Sequence, residues 1–201
     1  MRTVWTRAVP AAMGAVALAV ALTGCNGSGS KDESSSGGQA SASKAAEKTT
    51  YRLGEASPPQ ESSMQKSKGA TYSVTPTKVQ TGTKDEVDNS GLQLDKSDGP
   101  QVPVYVWATL THKSGKAMTV GDMDDDLVVA TDKGQRTKAL IVLMGQAKWP
   151  NCPASDTEKQ LSAGQSEKIC SVFLVPEGQK ASAVELARGY YNDPLKWPVK
   201  N

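Results

Sequence analysis

The chain has 201 residues, enough for one domain with an appendage, and its 23 lysines and arginines face 21 acids for a formal charge of +2. Arg2 and Arg7 lie in an N-terminal segment expected to be removed, leaving 21 basic against 21 acidic residues, so charge gives no reason to expect nucleic acid as a partner. Three cysteines are too few for a disulfide-dense scaffold, and one histidine is too few for a histidine-built metal site or most triad chemistry. No cofactor is implied.

The first 24 residues read as a signal peptide. Two arginines and no acid occupy positions 1–7, and an uninterrupted apolar run covers 11–22. That run is shorter than the roughly 20 apolar residues of a membrane-spanning helix. The arginines are not adjacent, so this is not a twin-arginine signal. Leu22-Thr23-Gly24-Cys25 then resembles the lipobox of bacterial lipoproteins. The resemblance implies cleavage after Gly24, a diacylglycerol on the Cys25 thiol, and anchorage on the extracytoplasmic face of the cell membrane. Two acyl chains make such an anchor stable where one would not.

Residues 26–48 hold seven serines and four glycines, with no Val, Ile, Leu or aromatic residue. Such a segment cannot bury enough apolar surface to offset its ordering entropy, and it reads as a flexible linker with a root-mean-square reach of roughly 25–30 Å.

The domain is expected over 49–201, and its elements are strands. Tyr51-Arg52-Leu53 suggests a short one. Tyr72 and Val74 alternate with polar residues. Val102, Val104, Val106, Ala108 and Leu110 occupy every second position, the period of a strand with one buried face. Pro103 within that run favours an edge position or a strand start. Residues 112–116 read as a turn with His112 exposed in it. A strand over 127–131 closes on Asp132-Lys133-Gly134, a hairpin-type turn. Further strands are expected over 139–144, apolar on both faces, over 169–175, and around Glu185 between Val184 and Leu186. Residues 81–100 form a long polar excursion, a mobile or functional loop. No segment shows a sustained helical period with caps. Many short strands with Gly, Pro and Asp turns predict an all-β sandwich or barrel.

A second resemblance rests on Tyr51-Arg52-Leu53-Gly54-Glu55, Asp126-Leu127 with Gly134 following, Leu161-Ser162-Ala163-Gly164-Gln165 and Val172-Phe173-Leu174-Val175-Pro176. These patches, in this order, resemble an immunoglobulin-like domain of unknown function found in secreted lipoproteins of actinobacterial type. That domain is similar in fold to the mycobacterial immunoprotective antigen family. The resemblance implies an antiparallel immunoglobulin-like β-sandwich with no shared catalytic residues. Residues 81–100 and 149–156 look like insertions against it.

With Cys25 taken by lipid, Cys152 and Cys170 remain as an even pair on the oxidising side of the membrane. A structural disulfide is expected. The alternative, a redox-active pair, lacks both the two-residue spacing and a neighbouring histidine. The run Gly121-Asp122-Met123-Asp124-Asp125-Asp126 is dense in carboxylates. It reads as a solvated loop, with a calcium site over 122–126 as the alternative, although it lacks the EF-hand spacing. Met118 and Met123 read as packing residues rather than copper ligands. Tyr105 and Trp107 share the strand face opposite the valines. If exposed, they are the candidate interaction surface; otherwise they pack under the tail that carries Tyr190, Tyr191 and Trp197.

These features point to a non-enzymatic lipoprotein whose sandwich binds at the cell surface. Its partners would be the membrane through Cys25 and a protein or cell-wall component. The alternative is a structural or accessory envelope protein with no soluble ligand. No constellation of nucleophile, base and orienting group supports an enzyme, and a single sandwich offers no two-lobed cleft for a transported solute.

Overall fold

The computed structural model describes residues 47–141 and 147–200. The expected signal peptide, the lipidation site Cys25 and the linker up to residue 46 lie outside the described residues, as do residues 142–144 of one expected strand. Among the described residues no helix is long and apolar enough to cross a membrane.

Ten strands are described: β1 (Gln60–Glu61), β2 (Thr71–Thr81), β3 (Gln101–Ser114), β4 (Met118–Thr119), β5 (Leu127–Thr131), β6 (Arg136–Lys138), β7 (Gln160–Leu161), β8 (Ser166–Pro176), β9 (Ala181–Leu186) and β10 (Leu195–Pro198). They form one sheet in the order β1-β2-β3-β8, a second in the order β10-β9-β5-β6, and a small β4-β7 pair. The strand pairings are antiparallel throughout.

The core lies between the two main sheets, and period-two alternation builds it. Val104, Val106, Ala108 and Leu110 of β3 meet Tyr72 and Val74 of β2 and Ile169, Phe173 and Val175 of β8. Leu127, Val129, Val184, Leu186, Leu195 and Trp197 face them from the second sheet. Met118 and Met123 are wholly buried at its margin, as packing residues.

Several expected elements take a different form. The Tyr51-Arg52-Leu53 segment is a turn rather than a strand. Gly54 adopts φ +90°, and the Tyr51 ring packs on Trp197 at 5.7 Å. Trp197 Nε1 donates to the Glu55 carbonyl at 2.9 Å, so this turn serves as a lid on the core tryptophan.

Pro103 sits near the start of β3, which is a central strand and not an edge. The last register pair with β2 is Thr81↔Val104, and one residue further Gly82 N still donates to the Pro103 carbonyl at 2.8 Å, so the missing Pro103 N–H falls at the final rung of that ladder.

His112 is not exposed. It continues the even-numbered core face of β3, has no solvent exposure, and its Nε2 donates to the Ser114 carbonyl at 2.9 Å. Of the strand expected over 139–144, the described residues 139–141 form no regular strand. β6 ends at Lys138, Ala139 bridges to Phe173, and Leu140 N donates to the Val172 carbonyl at 2.7 Å. The chain therefore crosses from one sheet to the edge of the other, and a regular strand cannot serve both.

The polar excursion over 81–100 is structured. A short helix α1 (Lys84–Asp88) starts at a capping box: Glu86 N donates to Thr83 Oγ1, and Thr83 N donates to Glu86 Oε2. A single 3-10 turn, Lys96–Asp98, follows with Asp95 as its cap. A second short helix, α2 (Val120–Asp124), replaces the loop expected over the acidic run.

Candidate functional site

The outer face of the first sheet carries a second, smaller core. On β3 the odd positions point away from the sandwich, and on β8 the even ones do. The register pairs Tyr105 with Val172 and Trp107 with Cys170. A loop from residue 147 lies over these four side chains. Its Cys152 is joined to Cys170 by a disulfide, with 5.4 Å between Cα atoms. Trp149 packs edge-on to Tyr105 at 6.1 Å, and Tyr105 lies 6.1 Å from Trp107. The expected structural bridge is therefore present, and it fastens a loop to a sheet face.

This arrangement revises the candidate interaction surface. Tyr105 is 1% exposed, so its ring offers nothing to a partner. Burial, with the Glu86 carboxylate beside it, pushes the Tyr105 hydroxyl up to about 12. Trp107 stays half-exposed, with Lys78 Nζ 4.2 Å above its ring. The cover is not the C-terminal tail. Trp197 lies in the main core, and Tyr190 and Tyr191 are each 94% exposed elsewhere. The loop is braced on either side of Trp149 as well, by Lys148 N, which donates to the Ser90 carbonyl at 2.8 Å, and by Asn151 Nδ2, which donates to Glu86 Oε1 at 3.0 Å. Sequence reading missed these partners, although Thr83-x-x-Glu86 carries a recognisable capping signature.

Between this loop and α2 runs a groove of about 740 Å³. One wall presents Asp122, Asp124 and Asp125, with Glu158 on the facing segment. The floor is the Trp149 ring and the disulfide, and Ile141 stands at the rim, 71% exposed. Asp124 is the most perturbed carboxylate. Burial pushes it up to about 6, the Ser171 hydroxyl that donates to it at 3.4 Å opposes the shift, and Asp125 adds to it. Asp126 is raised for the same first reason, opposed by Lys138. Lys138 Nζ lies 3.7 Å from Asp125.

The carboxylates of the expected alternative calcium site over 122–126 do not converge on one point among the described residues. They are spread around α2 and its end. Ser171 and Asp124 lack the imidazole that would make them a catalytic pair, because His112 is buried in the strand end and bonded to Ser114. What the groove can do is hold a ligand with an apolar body and hydrogen-bond donors. A second concavity of about 880 Å³ is lined by Lys48, Tyr51, Arg52 and Lys200 among others, with Lys48 Nζ 3.5 Å from Glu55.

No protein-family model matches the sequence, and no curated protein matches it. Among solved structures the fold is similar to that of a secreted protein from Mycobacterium tuberculosis, MPT63, known from a 1.5 Å crystal structure. The two share 14% identity with a TM-score of 0.51, over 77% of this chain and 99% of that one. At that identity the likeness is one of fold. It agrees with the all-β sandwich expected from the sequence.

Proposed function

We propose that this chain is a membrane-anchored extracytoplasmic lipoprotein that presents a non-catalytic immunoglobulin-like domain for binding at the cell surface. Anchorage is read from Leu22-Thr23-Gly24-Cys25 behind its apolar run. The Cys152–Cys170 disulfide suits a domain that folds on the oxidising side of the membrane. The observation that carries the binding role is the groove. A covalently fastened loop holds Trp149 and the disulfide as an apolar floor beside a row of carboxylates. A concavity with a few placed polar groups is the usual form of a recognition site.

Two experiments test the reading. Cys25→Ala should abolish lipid attachment and leave unprocessed precursor; an unchanged mature mass and unchanged detergent partitioning would end the anchor. For the groove, a photo-crosslinking residue in place of Ile141 should capture a discrete protein or cell-wall partner on intact cells. The same residue in place of the exposed turn residue Lys133 should not. Equal or absent capture at the two sites would favour an accessory envelope protein without a ligand.

A further inference from the structure

The loop joining β9 to β10 is the one part of the described domain that displays large aromatic rings and uses none of them for packing. Tyr190 and Tyr191 are each 94% exposed, and their rings stand edge to face 5.2 Å apart. The base of the loop is firmly tied. Arg188 Nε donates to the Asp193 carbonyl at 2.8 Å, Asn192 Nδ2 donates to the Arg188 carbonyl at 3.0 Å, and Gly189 makes the turn at φ +70°. A braced loop that holds two rings out in water marks a contact surface.

The position of the loop identifies what it meets. The second guanidinium arm of Arg188 donates from Nη1 to Glu47 Oε1 at 2.8 Å. Glu47 is the first described residue, where the chain arriving from Cys25 joins the domain. Only 21 residues lie between Cys25 and Glu47, and a random-coil chain of that length spans roughly 23–27 Å root-mean-square. A lipid-anchored domain on so short a tether keeps this end close to the bilayer. A weak contact there is then effectively intramolecular and is strengthened accordingly.

The chemistry agrees. Tyrosine carries an apolar ring and a hydroxyl, the combination that settles at the boundary between headgroups and acyl chains. Arg188 is balanced by Glu47, so the loop presents no cluster of free cations for anionic headgroups. Ring burial rather than charge would drive the contact, and salt should affect it little.

We propose that the Tyr190–Tyr191 loop is an interfacial foot that seats the domain on the phospholipid surface to which Cys25 anchors it. The proposal rests on the lipoprotein reading, and the test separates the two.

The lipidated full-length chain is reconstituted in phosphatidylcholine vesicles, and Cys25 lipidation is checked by mass. With Tyr190→Trp, the emission added over that of the parent's own tryptophans should be blue-shifted and quenched by bromination of the lipid acyl chains, the parent's emission should not be quenched, and raising the salt should leave the quenching unchanged. In the unlipidated mature chain carrying Cys25→Ser, the Tyr190→Ser/Tyr191→Ser pair should lower vesicle co-sedimentation several-fold with melting unchanged.

If the emission added by Tyr190→Trp is water-like and unquenched on a chain whose lipidation is confirmed, the foot is overturned and the anchor stands. Absence of lipid on Cys25 overturns the anchor, and the unlipidated comparison then decides the foot alone. Loss of dimers rather than of vesicle binding in the double serine variant would assign the rings to a second copy of the chain and overturn the proposal.

Discussion

The two faces of β3 come from one alternating strand and are closed in different ways. The even face is met by strands of both sheets, and its residues lose their solvent contact by layered packing of many small aliphatic groups. The odd face holds a cluster of only a few residues: Tyr105, Val172 and Cys152, with Trp107, Trp149 and Cys170 packed on them. Among the described residues no second sheet covers it. One loop does that, and the disulfide compensates for the small area the loop buries. The lesson is that a single sandwich can support a second small core, provided its cover is fastened covalently. The inner core makes the fold, whereas the outer one shapes the groove.

The comparison predicts a graded response. The largest effect is expected from Phe173→Ala, which empties a wholly buried position in the inner core. It should cost about 3–5 kcal/mol in denaturant unfolding, as one cooperative transition. A loss confined to the groove loop would contradict the division of labour.

Next comes the pair Cys152→Ser/Cys170→Ser. Releasing the closed loop should cost about 3 kcal/mol. Trp107 and Trp149 should become more accessible to acrylamide, while amide exchange in the β5–β9 ladder keeps its pattern. If protection falls equally in both cores, the outer face is not a separate unit.

The smallest effect concerns the groove wall. The folded Asp124 titrates near 6, above the usual carboxylate range, because burial penalises its charge. The native state therefore holds that proton more tightly than the unfolded chain. This contribution to stability is greatest in acid and falls as pH rises through about 6. Asp124→Asn, neutral at every pH and still able to accept from Ser171, should be more stable than the parent at pH 7.5 by about 1–2 kcal/mol. That advantage should vanish near pH 4. A constant difference across the range would mean that burial does not set this carboxylate.

Much of the architecture was legible from residues 102–110, because a period of two states which atoms face inward whatever the neighbours. β5 fell at its expected limits, Leu127–Thr131, since Asp132-Lys133-Gly134 supplies the turn that Gly134 makes at φ +80°. The even pair Cys152 and Cys170 likewise announced its bond. His112 could have been read as buried by carrying the same alternation two residues further. β10 was missed because Leu195 and Trp197 are only two inward positions, too few to distinguish a strand from a tail.

Local rules therefore determined the strands over 102–110 and 127–131 and their inner faces, since period two and turn residues depend on covalent order alone, and the cysteine pairing followed from the even pair left beside Cys25. Tertiary structure decided the rest. Tyr105 and Trp107 have the same pattern whether bare or covered, and only the fold brings Trp149 across to cover them. Glu185 reads as a solvent-facing strand residue. It is 4% exposed, with Lys196 Nζ of the adjacent β10 at 3.1 Å and Arg136 Nε reaching it at 2.7 Å from β6, across β5. Asp122, Asp124 and Asp125 became a groove wall rather than a free loop because α2 turned them toward the disulfide-bound segment. In each case the deciding partner lies far away in sequence, and burial and charge pairing are properties of the space between distant segments.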